Sequence, residues 1–128
     1  MAMTAAETGH LVLGTLHTTG AVKTIDRIID ALPGELREQT KGFLAMSLKA
    51  VISQHLLPST CGQKRELALE IMFTTSPIAS AIRFGKIESI DNNILTGQGE
   101  GMLPLDESIE RVISGPERKS RLISEEEK

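Results

Sequence analysis

The stretch GHLVLGTLHTTGA, residues 9–21, decides the reading of the fold. Leu11 to Leu16 is apolar on both faces of an extended chain, the pattern of a central parallel strand sandwiched between helices. The apolar run stops at a polar corner, His17-Thr18-Thr19-Gly20, and helical spacing takes over. Val22, Ile25, Ile28, Ile29 and Leu32 make one stripe until Pro33-Gly34 breaks it. This is a strand-to-helix unit of an α/β sheet, and such sheets bind ligands beyond the carboxyl ends of their strands.

Two readings of the corner follow. His17 donates a hydrogen bond to a phosphate or carboxylate, with the next helix offering free N–H groups and the positive end of its dipole. Alternatively, Thr18 and Thr19 only cap the helix and His17 bonds a neighbouring carbonyl. His10 lies seven positions before His17, on the opposite face of a regular strand, so the two make a poor metal pair and no metal site is expected.

Further along, Leu36, Phe43, Leu44, Ser47, Leu48, Val51, Ile52 and Leu56 predict one long helix closed by Pro58 and the turn-forming STCGQ. His55 then ends that helix, where an imidazole suits the dipole, and Gln54 satisfies a local backbone group. Leu67, Leu69, Ile71 and Phe73 alternate with Ala68, Glu70 and Met72, predicting a second strand with a mixed other face. Ser76-Pro77 starts a short helix through Arg83. Ile87, Ile90, Ile94 and Leu95, and then Ile109, Val112 and Ile113 after Pro104-Leu105-Asp106, read as helical, so a C-terminal helical cluster is expected. SEEE at 124–127 has the spacing of a capping box.

Composition narrows the function. The 128 residues carry a net charge of −3, which gives no general attraction for nucleic acid or anionic membrane. Three Phe with no Tyr or Trp leave a core of Ile, Leu, Val, Met and Ala and make base-stacking platforms improbable. One cysteine, Cys61, excludes an intramolecular disulfide and points to the cytosol. No apolar run is long enough to span a membrane, and no signal-peptide pattern opens the chain, so neither insertion nor export is expected.

Chemistry-bearing motifs are few. The sequence contains no GxxxxGK[ST], no HExxH and no GxSxG. TGQGEG at 96–101 looks like a phosphate-cradling loop, but no Lys-Ser/Thr follows and Glu100 would repel an anion. Lys23, Asp26 and Arg27 are spaced as an exposed charged helix face. Phosphoryl transfer also needs a phosphate cradle, a metal ligand and a water-positioning residue, of which this chain offers at best the γ-phosphate end.

AAETGHLVLGTLHTTGAVKTIDRIID (5–30), LKAVISQHLLP (48–58), ELALEIMFTTSPI (66–78), AIRFGKI (81–87) and TGQGEGMLPLDESI (96–109) resemble, in order and spacing, the twitching-motility retraction ATPases of type IV pili, within the secretion ATPase superfamily. The resemblance covers about residues 5–115. It implies a partial RecA-like P-loop NTPase domain of α/β class, central strands with flanking helices, spanning residues 1–75 and containing the His box, followed by a helical region at 76–128. It implies ATP and Mg2+ as cofactors of the full-length family, a cytoplasmic homo-hexamer at the pilus base, and an inner-membrane platform protein as partner. His17, Thr18, Thr19 and His10 fall in the implied nucleotide-binding His box, near the γ-phosphate. Arg27, Glu70, Ile82 and Arg83 are the implied coupling or interface residues, Glu70 with a structural alternative.

The family's retraction motif AIRNLIRE aligns with Pro77 to Phe84 and keeps only Ile78, Ile82 and Arg83, which puts retraction competence in question. After residue 114 the likeness is loose. The leading expectation is a fragment of a pilus retraction motor, lacking its own Walker A and catalytic glutamate motifs, that does not hydrolyse ATP alone. The alternative is a stand-alone, non-catalytic module, with a self-contained core pattern, that binds motor subunits or the pilus base. A third is exchange of segments into an oligomer, because a sheet lacking its first strands leaves open edges.

Overall fold

The computed structural model describes residues 1–59 and 64–114. Cys61, the tip of the turn around it, and the Ser124–Glu127 capping-box pattern lie outside the described residues. The elements run α1 (Ala2–Glu7), α2 (Ala21–Asp30), α3 (Arg37–Ser47), β1 (Ala50–Pro58), β2 (Arg65–Phe73), α4 (Ser76–Arg83), α5 (Ile90–Thr96) and α6 (Leu105–Ile113), with short 3-10 turns between several of them. The class is α/β, with one two-stranded antiparallel sheet, β1-β2.

The apolar stripe of α2 is buried as its spacing predicts, with Ala21, Ile25 and Ile29 in the core. They meet Leu44 and Ala45 of α3, Val51 of β1, Met72 of β2, Ile78, Ala81 and Ile82 of α4, Ile90 and Ile94 of α5, and Met102. No aromatic side chain belongs to this cluster. The core therefore owes its shape to β-branched and flexible aliphatic chains in close packing.

Three sequence expectations change. Leu11–Leu16 is not a strand: it runs without turn, bend or backbone hydrogen bond, and Leu11 and Leu13 are exposed. A strand is defined by its neighbours, and among the described residues none lies alongside it. The long helix ends at Ser47, where Leu48 turns to an extended ψ of 126°, and β1 begins at Ala50. The stretch 48–56 satisfies both periods, and the β-branched pair Val51-Ile52 opposite Met72 and Ile71 settles it as strand. His55 and Gln54 therefore sit on a strand and not at a helix end.

The third change is the face of β2. Ala68 and Met72 are fully buried, whereas Leu67 and Phe73 are exposed and Leu69 and Ile71 half-buried. Opposed residues of an antiparallel pair share a face, so Val51, Ser53 and His55 look inward with Met72, Glu70 and Ala68. The mixed face is the inner one because small Ala68 admits close packing and Glu70 has a polar partner there.

Candidate functional site

The corner after Leu16 is built around the first turn of α2. Gly20 is the residue before the helix, with φ of +92°, a conformation L side chains rarely adopt, and as glycine it has no side chain to cap the helix. The missing cap arrives from another element: the Ala21 N–H donates to Glu70 Oε1 of β2 at 2.7 Å. A carboxylate at a helix N-terminus compensates an orphan donor and the dipole together, a contribution of about 1 kcal/mol. Glu70 is thus tied to the helix that leaves the His-Thr-Thr corner.

A second tie starts in the corner itself. The Thr24 hydroxyl donates to the Gly20 carbonyl at 2.8 Å and meets Thr18 Oγ1 at 2.7 Å. Thr24 has one proton, spent on Gly20, so Thr18 is the donor to Thr24. Thr24 is buried and Thr18 half-buried. The chain just after His17 is thereby fixed to α2 by side chains, while Thr19 is exposed and does not cap the helix.

His17 is exposed and makes no hydrogen bond among the described residues. His10 is exposed as well, and its Nδ1 lies 3.1 Å from Thr8 Oγ1. The Thr8 hydroxyl donates at 2.9 Å to the Ala5 carbonyl, so His10 Nδ1 is the donor to Thr8 and Nε2 is left outward. Of the free N–H groups expected at α2, that of Ala21 is already taken by a carboxylate. The carboxylate of Glu70 therefore already occupies one place at the first turn of α2.

The other singled-out residues are dispersed. Arg27 is exposed and lines a cavity of about 550 Å3 with Met3, Leu16, Ile28 and Phe43. Ile82 is fully buried in the core, and Arg83, next in α4, is exposed. His55, on β1, has a buried Nε2 with no partner among the described residues, a feature its sequence position did not signal. Among the described residues no three His, Cys, Asp or Glu side chains gather to hold a metal, and no helix is long and apolar enough to cross a membrane.

A profile of the type II/IV secretion system protein family matches residues 1–112, nearly the whole described chain. The chain belongs to that family. Its relatives include the twitching motility protein of Neisseria gonorrhoeae, 46% identical over 113 residues, or 88% of this chain and 30% of that protein. The type IV pilus retraction ATPase PilT of Pseudomonas aeruginosa is 45% identical over 114 residues, 89% of this chain and 33% of its own length. Among solved structures, the pilus retraction motor PilT with bound ADP superposes with a TM-score of 0.64 and 35% identity, over 94% of this chain and 37% of that one. The chain spans about a third of the length of the relatives it matches.

Proposed function

We propose that this chain is part of a pilus retraction motor of twitching motility, and that its contribution to the nucleotide site is the His17 corner. The observation that carries the reading is the identity of 46% and 45% with the two relatives over 113 and 114 residues, 88% and 89% of this chain. In this reading the whole motor is a cytoplasmic homo-hexamer using ATP and Mg2+, seated under an inner-membrane platform protein. Residues 1–75 form the share of the RecA-like core and 76–128 the helical region.

His17 is exposed and free to donate to a γ-phosphate oxygen, which is where a positioned donor stabilises charge in phosphoryl transfer. Thr18 fixes the corner to α2 through Thr24, and Thr19 and His10 flank it. Glu70 couples β2 to the start of α2, so a movement of the corner passes to the hairpin as well as along the helix. Arg27 and Arg83 are exposed charges suited to contacts between subunits, whereas Ile82 acts by holding α4 in place. The phosphate cradle and the catalytic carboxylate come from parts of the motor that the sequence of this chain does not contain.

The expected outcome for the purified 128-residue chain is no ATP turnover above background in the presence of Mg2+. A steady-state phosphate-release assay checks it. Clear Mg2+-dependent hydrolysis that His17→Ala abolishes would show instead that the chain is a complete catalyst.

A further inference from the structure

The hairpin β1-β2 begins where α3 ends and returns where α4 starts, which brings the two helices together as an antiparallel pair. Leu44 and Ala45 of α3 share the core with Ile78, Ala81 and Ile82 of α4. One fastening holds the pair at the hairpin end, where the Thr74 N–H donates to the Lys49 carbonyl at 3.0 Å. It is a bond between backbones, independent of side-chain identity.

The far end of the pair is different. There α4 stops in a Schellman turn: the Gly85 N–H donates to the Ile82 carbonyl at 3.3 Å, the Lys86 N–H donates to the Ala81 carbonyl at 2.9 Å, and Gly85 takes φ of +71°. The carbonyls at that end carry the negative pole of the helix dipole. Against it lies Lys41 of α3. A Cβ placed on Gly85 would be 3.4 Å from Lys41 Nζ and 3.9 Å from Lys41 Cε, so the ammonium group and its stem sit beside the glycine. The Lys41 side chain is only 21% exposed, low for a lysine, whereas Glu38, whose Oε1 it meets at 2.7 Å, is 81% exposed. A surface ion pair alone does not require a covered lysine stem.

We propose that Lys41 is a positioning residue for α4: its ammonium group stabilises the carboxyl end of that helix, so that α3 fixes the place from which α4 presents Arg83. Both partners belong to this chain and the contact is already covered, so it does not depend on what precedes or follows these residues. It exists whether or not the chain serves a motor. Under the motor reading, α3 becomes the element with which the helix carrying Ile82 and Arg83 moves.

Native-state amide hydrogen exchange of the 128-residue chain, resolved by residue with NMR, tests it. Lys41→Met keeps the aliphatic stem and removes the charge. It is expected to speed exchange at Gly85 and Lys86 by about two- to fivefold, the range for a cation at a helix carboxyl end, and to leave Ala81 and Ile82 unchanged. Lys41→Arg is expected to keep the parent rates, and so is Glu38→Gln, which breaks only the surface pair. Unchanged exchange at Gly85 and Lys86 in Lys41→Met overturns the proposal. So does acceleration of all these amides alike, which would make Lys41 a general support of the fold. Equal acceleration by Glu38→Gln also overturns it, because the pair with Glu38 would then be the whole role of Lys41.

Discussion

Replacing Ile82 with alanine lowers the free energy of unfolding by about 2–5 kcal/mol, the range for deleting most of a fully enclosed aliphatic side chain and leaving a cavity. Ile82 has no exposed surface and sits among core residues drawn from α2, α3, β1, β2, α4 and α5. The loss is therefore felt throughout the fold and not only in α4. Urea unfolding followed by circular dichroism gives the number. Arg83→Ala, one residue on and exposed, is the control and changes stability by no more than about 0.5 kcal/mol. A small effect of Ile82→Ala would mean that α4 is not packed into the core as described. The pair also separates two roles that the sequence motif joins: Ile82 holds the helix, and Arg83 is presented by it.

Gly97→Ala is expected to cost about 1–3 kcal/mol by overpacking. The backbone at Gly97, with φ of −89°, suits any residue, so the cost is one of space. A Cβ there would lie 2.8 Å from Met102 Cε, 2.9 Å from Met102 Sδ and 2.9 Å from the Asn93 carbonyl oxygen. Met102 is buried, and that carbonyl accepts the hydrogen bond from Gly97 N–H, so neither has room to retreat. Gly99→Ala, two residues away with nothing within 4 Å, is the internal comparison and is expected to be nearly neutral. A thermal melt that ranks the two variants equally would contradict the close approach of Gly97 to Met102.

The glycines of TGQGEG illustrate what the sequence makes legible. Their spacing looks like a phosphate loop, and Glu100 together with the missing Lys-Ser/Thr argues against one. The structure supplies the packing reason: Gly97 lies under Met102, and Gly101, at φ of +93°, passes Phe73 with only 3.3 Å for a Cβ. The helical stripe of α2, the start of α4 at Ser76-Pro77 and the aliphatic core follow from short-range periodicity, which one chain carries in full.

What periodicity does not carry is pairing. Leu11–Leu16 reads as a buried strand because its side chains ask for cover on both faces, but the backbone partner is a long-range matter. Residues 48–56 fit a helical and an extended period equally, and only the opposed strand β2 decides between them. Glu70 shows the same limit in reverse. Its inward position contradicts the apolar-stripe rule for β2 and is explained by a backbone N–H, that of Ala21, 49 residues away in sequence. Thr18 and Glu70 are both tied to the first turns of α2, Glu70 through a contact that no local pattern in the sequence announces.

The most direct measurement is ATP turnover by a chimera in which residues 1–112 of this chain replace the matching stretch of Pseudomonas aeruginosa PilT. Hydrolysis that persists in the chimera and falls about hundredfold on His17→Ala, with nucleotide still bound, is the expected result for a donor aimed at the transferring phosphate. Turnover unchanged by His17→Ala, or a chimera that assembles and binds ATP without hydrolysing it, would contradict the motor reading of the His17 corner.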